Sequence, residues 1–401
     1  MKSLMSAVVL LSLVPGCREH RSAAIPTTTV GDSAGIAIVT STAPRFPVRY
    51  RVDSTAVLDL GASGDPADEF SGTIIALKLH DGRIAVANQG TSEVRFFDAG
   101  GKRLQSVGRK GSGPGEFEQI ASLAVGAGDS LLVFDRGTRR LSVLAATGEI
   151  VRSGMIDLGQ GTLAHVVFGA LPGGRIVVSP ARSGREPTRS GLVRDSADLK
   201  IVGADGSVTE LGRFPGTQLV SRVETHGGKV VSVNIAALPF GRSTWFGTWD
   251  TLVGVAPTDR YGFDLYSASG RLMRRISRDH QPEPVTAADL AADLEMAELP
   301  NEDTRARYRS FLRMAPIPET KPAFDRVVPG ANGELWFRDY LGPNQRTHPG
   351  RWTIFDREGA WLTSVDLPAG FEPTWIGPDQ ILGTWLDADD APHVRLFRLL
   401  R

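Results

Sequence analysis

The chain is almost without cysteine: Cys17 is the single thiol among 401 residues, which excludes a disulfide within the chain. It also lacks an excess of either charge, with 45 Lys and Arg against 45 Asp and Glu. No net field therefore draws it to nucleic acid or to an anionic membrane surface. Its seven histidines show no HxxxH or HExxH spacing, which leaves zinc without support. An apolar run from Leu4 to Val14 is too short to span a bilayer. What abounds is turn-forming sequence: Gly 45 and Pro 25 suit many short strands better than long helices.

Lys2, the apolar run and the small residues before Cys17 form a signal-peptide pattern over residues 1–16. Val14-Pro15-Gly16-Cys17 resembles the lipobox of bacterial lipoproteins, which implies acylation of Cys17. Residues 17–32 then read as a polar tether, short of large apolar groups. The expected location is the cell envelope, facing the periplasm or outer surface, with the lipid anchor as the membrane contact. A cleaved, secreted soluble protein is the alternative.

Internal repetition organises the rest. A shift of 47 residues lays GASGDPADEF (61–70) on GRKGSGPGEF (108–117). The glycine-rich stretch is thus a recurring connector and leads into an apolar strand, IASLAV, rather than the helix that a phosphate loop needs. A turn entering a strand recurs as DGRIAVAN (81–88), GDSLLVFD (128–135), GGRIVVSP (173–180), GGKVVSVN (227–234), NGELWFRD (332–339) and PDQILGTW (378–385). Intervals of 47, 45, 54, 105 and 46 residues separate these copies, so one large insertion is expected between the fourth and fifth. Four strands per repeat at this period is a propeller pattern.

The last copy stops without its fourth strand. TAVLDLG (55–61) falls in the register of a fourth strand, so the N-terminal segment is expected to close the ring and remove the open sheet edges. The fold class is therefore all-β, a six-bladed β-propeller over residues 33–401. GRKGSGPGEF, the strand after it and GDSLLVFD resemble an NHL-type repeat of six-bladed propellers. The wider pattern, with LGTWLDADDAPHVRLFRL in the closing blade, is similar to uncharacterised bacterial propeller lipoproteins. That resemblance implies a fold and transfers no catalytic residue.

The insertion, about 280–322, reads as a helical hairpin. Thr286 and Asp289 form a capping box, and acids precede the arginines 305, 307, 309 and 313 around Tyr308, Phe311 and Leu312. It is either packed decoration or a lid and partner-binding arm. Ser130 of GDSL occupies a turn, and the GxSxG at 31–35 lacks the preceding strand and following helix of a nucleophile elbow. Asp387, Asp389, Asp390 and His393 lack the calcium-loop glycine and glutamate, and read as a solvated turn.

The residues ending the repeated strand are Asn88, Asp135, Pro180, Asn234, Asp339 and Trp385, expected around one mouth of the channel. Such a ring can hold a cation or a hydroxylated ligand, with Arg136, Arg139, Arg140 and Arg338 adding anion-binding capacity. Asn and Asp also end strands simply by bonding their own turns. Two functions follow: a monomeric, non-enzymatic scaffold for a protein, peptide or glycan, without cofactor, or a lactonase- or lyase-like propeller enzyme using calcium at the Asn/Asp ring. No general base can be named for the second.

Overall fold

A computed structural model describes residues 27–62, 68–180, 189–297, 301–342, 345 and 348–401. The signal-peptide pattern and Cys17 lie outside the described residues. Four N-terminal strands come first: β1 (Thr28–Ser33), β2 (Ile36–Ser41), β3 (Arg51–Val52) and β4 (Leu58–Leu60).

Six antiparallel sheets follow. Blade 1 holds β5 (Ile74–Lys78), β6 (Ile84–Asn88), β7 (Glu93–Phe97) and β8 (Arg103–Val107). Blade 2 holds β9 (Ile120–Val125), β10 (Leu131–Asp135), β11 (Arg140–Leu144) and β12 (Ile150–Met155). Blade 3 has β13 (Val166–Leu171), β14 (Arg175–Ser179), β15 (Gly191–Val202), β16 (Val208–His226) and an added β17 (Lys229–Ala237). Blade 4 has β18 (Thr244–Trp249), β19 (Leu252–Pro257), β20 (Gly262–Tyr266) and β21 (Leu272–Arg278). The helices α1 (Ala287–Met296) and α2 (Glu302–Met314) separate it from blade 5. That blade is β22 (Phe324–Pro329), β23 (Leu335–Asp339), β24 (Gly350–Phe355) and β25 (Trp361–Leu367). Blade 6 comprises β26 (Glu372–Ile376), β27 (Gln380–Leu386) and β28 (Pro392–Leu400), completed by β4.

The first strands β5, β9, β13, β18, β22 and β26 touch in sequence, and β26 returns to β5. The fold is a six-bladed β-propeller. Closure runs through β4, where Leu60, Asp59 and Leu58 stand opposite Val394, Arg395 and Leu396. Six apolar clusters hold neighbouring blades together, one per seam. Between blades 4 and 5, Phe263 stacks on Phe337 at 5.1 Å and meets Phe355 edge-on at 5.3 Å. Such offset and edge-on pairs add to area burial and fix the blades' relative setting.

Three expectations need correction. GGKVVSVN is not the second strand of blade 4; it lies in β17, paired with the far end of β16 in an arm that extends blade 3. The true second strand is β19, reached through a two-residue turn at Asp250-Thr251 with Asp250 at φ 55°. Aspartate can adopt this left-handed conformation, so the turn forms without the glycine that marks most of the other copies. The chain consequently carries two insertions, the β-arm and the helices. Finally, the polar tether does not extend to residue 32: β1 pairs along its whole length with β2, and β2 joins blade 4 in parallel with β21. Three consecutive threonines favour a strand, and the Gly35 N–H bonds Asp32 Oδ1 across the hairpin turn.

Candidate functional site

At one face of the propeller the first strands begin and the second strands end, so Ile74 stands opposite Asn88, Ile120 opposite Asp135 and Phe324 opposite Asp339. Most of the proposed ring is committed to local structure. Asn88 is fully buried and its Oδ1 accepts from the Ser71 N–H at 3.1 Å. Asp135 accepts from the N–H groups of Glu118, Gln119 and Thr138, and from the Thr138 hydroxyl, at 2.7–3.0 Å. Its carboxylate fastens the connection between blades. Arg136 donates to the Gln119 side chain at 3.3 Å, and Arg139 is an exposed turn residue at φ 56°. Asp339 turns into the seam between blades 4 and 5, accepting from Tyr261 at 2.5 Å, Thr353 at 3.2 Å and Arg278 at 3.4 Å. Asn234 is not at the mouth at all, since it lies exposed on the β-arm with its amide donating to Ser232 Oγ at 3.2 Å.

Arg338 and Trp385 do come together. Both line a cleft of about 740 Å³ across the mouth edge of blades 5 and 6, with Tyr340, Phe371, Asp325 and Glu372. Arg338 donates to Asp325 at 2.7 Å and also bonds Glu372, while its guanidinium lies 5.9 Å from the Trp352 ring. Arg326 approaches the second Glu372 oxygen at 2.9 Å. Burial pushes the Asp325 carboxyl above its ordinary value, and the Arg338 charge offsets this only in part. Burial alone would lower the Arg338 pKa, but Asp325 and Glu372 outweigh it and the net shift is upward. The guanidinium is therefore a fixed cation that sets the two carboxylates in place.

Trp385 is fixed from behind. Arg395 stacks 3.4 Å from the ring centre, and His393 meets its edge at 5.7 Å. Asp59, from the closing strand β4, holds both: His393 Nδ1 at 2.7 Å and Arg395 Nε at 2.8 Å. The N-terminal strand thus closes the ring and also backs the cleft. On the opposite rim Asp293 of α1 lines the cleft and accepts from the Tyr308 hydroxyl at 2.6 Å.

Asp325, Glu372 and Phe371 were not anticipated, because they sit at or before the starts of first strands rather than at the ends of second ones. Ser130 donates to the Ala127 carbonyl at 2.8 Å, as its turn position requires. Asp387 accepts from the N–H groups of Asp389 and Ala391, which makes the acidic stretch a turn. Among the described residues, no three His, Cys, Asp or Glu side chains gather as a metal site. Among them, too, no helix is long and apolar enough to cross a membrane.

A family model described as a 6-bladed beta-propeller matches residues 67–158, which span the first two blades. No curated protein matches the chain. An exported protein of Bacteroides fragilis is similar in structure, at 11% identity and a TM-score of 0.50, covering 91% of this chain and 99% of that one. A DUF4221-family protein of Bacteroides vulgatus is similar at 10% identity and a TM-score of 0.51, covering 87% and 98%. Virginiamycin B lyase from Staphylococcus aureus overlaps 87% of this chain and 99% of its own, at 9% identity and a TM-score of 0.41. The two Bacteroides proteins share a fold with the chain. At such identities nothing of their chemistry carries over.

Proposed function

We propose that this protein is an exported, non-enzymatic binding propeller that takes a glycan-type ligand in the cleft of blades 5 and 6. The observation that carries the reading is the cleft itself, where aromatic rings stand beside carboxylates already fixed by Arg338. Polyhydroxylated ligands need apolar faces to stack on and fixed acceptors for their hydroxyl protons. The backing of Trp385 by Arg395 limits the entropy lost on binding. The N-terminal signal pattern supports export, and one structural neighbour is itself described as an exported protein. The metal-enzyme alternative has less behind it, since the Asp135 and Asn88 oxygens are already engaged by backbone N–H groups.

Thermal unfolding against a panel of envelope oligosaccharides tests the reading. A saccharide at 100 times its Kd should stabilise the protein by about 2.7 kcal/mol. Thr73, exposed at the cleft edge, is the place to fill it. The Thr73→Trp protein is expected to keep its Tm and lose the saccharide shift. An unchanged shift in Thr73→Trp, or none in the parent with any saccharide, overturns the proposal.

A further inference from the structure

A second depression lies between α2 and the β-arm, joined to that cleft through the Tyr308–Asp293 hydrogen bond. Val220, Arg222 and Asn234–Ala236 form one wall, and Arg307, Tyr308 and Phe311 the other. It continues as a groove of similar size past Ser190, Gly191 and Met314, sharing Val220, Arg222, Arg307 and Phe311. The two hollows measure about 580 and 620 Å³. We propose that this groove docks an extended peptide segment of a partner protein in which apolar residues alternate with carboxylates.

Three observations point to that occupant. The walls are unfinished as a core. Tyr308, Phe311 and Met314 fall three residues apart, on one stripe of α2, yet none of the described residues of α2 is buried and Met314 is 69% exposed. The tip of the arm is similar, with Val230 46% and Val231 63% exposed. Charge is the second observation. Among the described residues, two arginines line the groove and no aspartate or glutamate does. Arg307 donates to the Thr304 hydroxyl at 3.1 Å, and Arg222 stands a loose 3.6 Å from Glu224. Guanidinium groups so placed are suited to bidentate pairing with incoming carboxylates. The edge is the third. Among the described residues, β17 ends its sheet and pairs on one side only, with β16, and three of its consecutive residues line the groove. An edge strand offers backbone N–H and C=O groups at every second residue, which an extended peptide satisfies and an acyl chain does not.

Fluorescence anisotropy on the full chain provides the test, with a labelled, acetylated heptapeptide alternating valine and glutamate. Arg222→Glu and Arg307→Glu are each expected to weaken binding about tenfold or more, and a valine–lysine peptide to fail. N-methylation of alternate peptide bonds should abolish binding if β17 pairs with the peptide. Phosphatidylglycerol vesicles should not compete. Both arginines are exposed, and unchanged circular dichroism of the variants establishes that they fold. Equal binding of the valine–lysine peptide, binding indifferent to both arginine variants or to N-methylation, no binding of the valine–glutamate peptide, or displacement by the vesicles would each overturn the proposal. Thr73→Trp should leave peptide binding unchanged, so this groove and the saccharide cleft succeed or fail separately.

Discussion

At the scale of single residues, Asp135 shows how one side chain decides between ligand and structure. Its two oxygens receive three backbone N–H groups and a hydroxyl. A calcium ion would have to displace those donors, giving up part-buried hydrogen bonds worth about 1 kcal/mol each. The expected outcome is that neither calcium nor EDTA moves the Tm of the parent protein. Asp135→Ala is expected to lose several kcal/mol for the same reason. A rise in Tm with calcium that Asp135→Ala abolishes would instead establish the metal ring. The sequence showed Asn and Asp ending four of six strands, and both readings were open there. Hydrogen-bond partners brought from the neighbouring connector, such as the Glu118 and Gln119 N–H groups, separate them, and no pattern in the chain predicts such partners.

At the scale of elements, α1 depends on Thr286 and Asp289. The Thr286 hydroxyl accepts from the Asp289 N–H at 3.2 Å, and Asp289 accepts from the Thr286 N–H at 2.9 Å. Lys321, on the segment returning to blade 5, pairs with Asp289 at 3.0 Å. Burial alone would raise the Asp289 pKa, but Thr286 and Lys321 outweigh it and hold the carboxyl below its ordinary 3.8. A depressed folded-state value means that the unfolded segment binds the proton more readily. Its stabilisation is thus present above about pH 4 and lost as pH falls through the folded value. Asp289→Asn should loosen the helical insertion by about 1 kcal/mol at neutral pH and remove its acid sensitivity. Hydrogen exchange of residues 287–296 reads this directly; exchange equal to the parent's at neutral pH would refute it. These helices were legible because capping chemistry is local. The β-arm was not, because GGKVVSVN has the same turn and alternation whether it pairs inside a blade or on an extension. Only the partner strand distinguishes the two.

At the scale of the whole molecule, the repeat and the missing last strand were enough to read a closed ring, since a fixed period of turns and strands is set by local chemistry. The cleft was not readable, because it joins starts of first strands in blades 5 and 6 to a helix insertion and to Asp59. Asp59 is 336 residues from Arg395 and bonds it at 2.8 Å. Closure and site are consequently coupled. A chain beginning at residue 62 would lack β4, exposing the β28 edge and removing the carboxylate that holds Arg395 and His393 behind Trp385. An unpaired edge of this kind seeks another strand. The truncated chain is expected to melt well below the parent, to associate on size exclusion, and to lose saccharide binding. Adding a synthetic peptide of residues 50–61 should restore the monomer, as donor strands complete incomplete sheets. Asp59→Ala in that peptide should restore the monomer but not the saccharide shift, separating the strand's part in closure from its part in the cleft. If the truncated chain stayed monomeric and bound saccharide as the parent does, β4 would be dispensable to both.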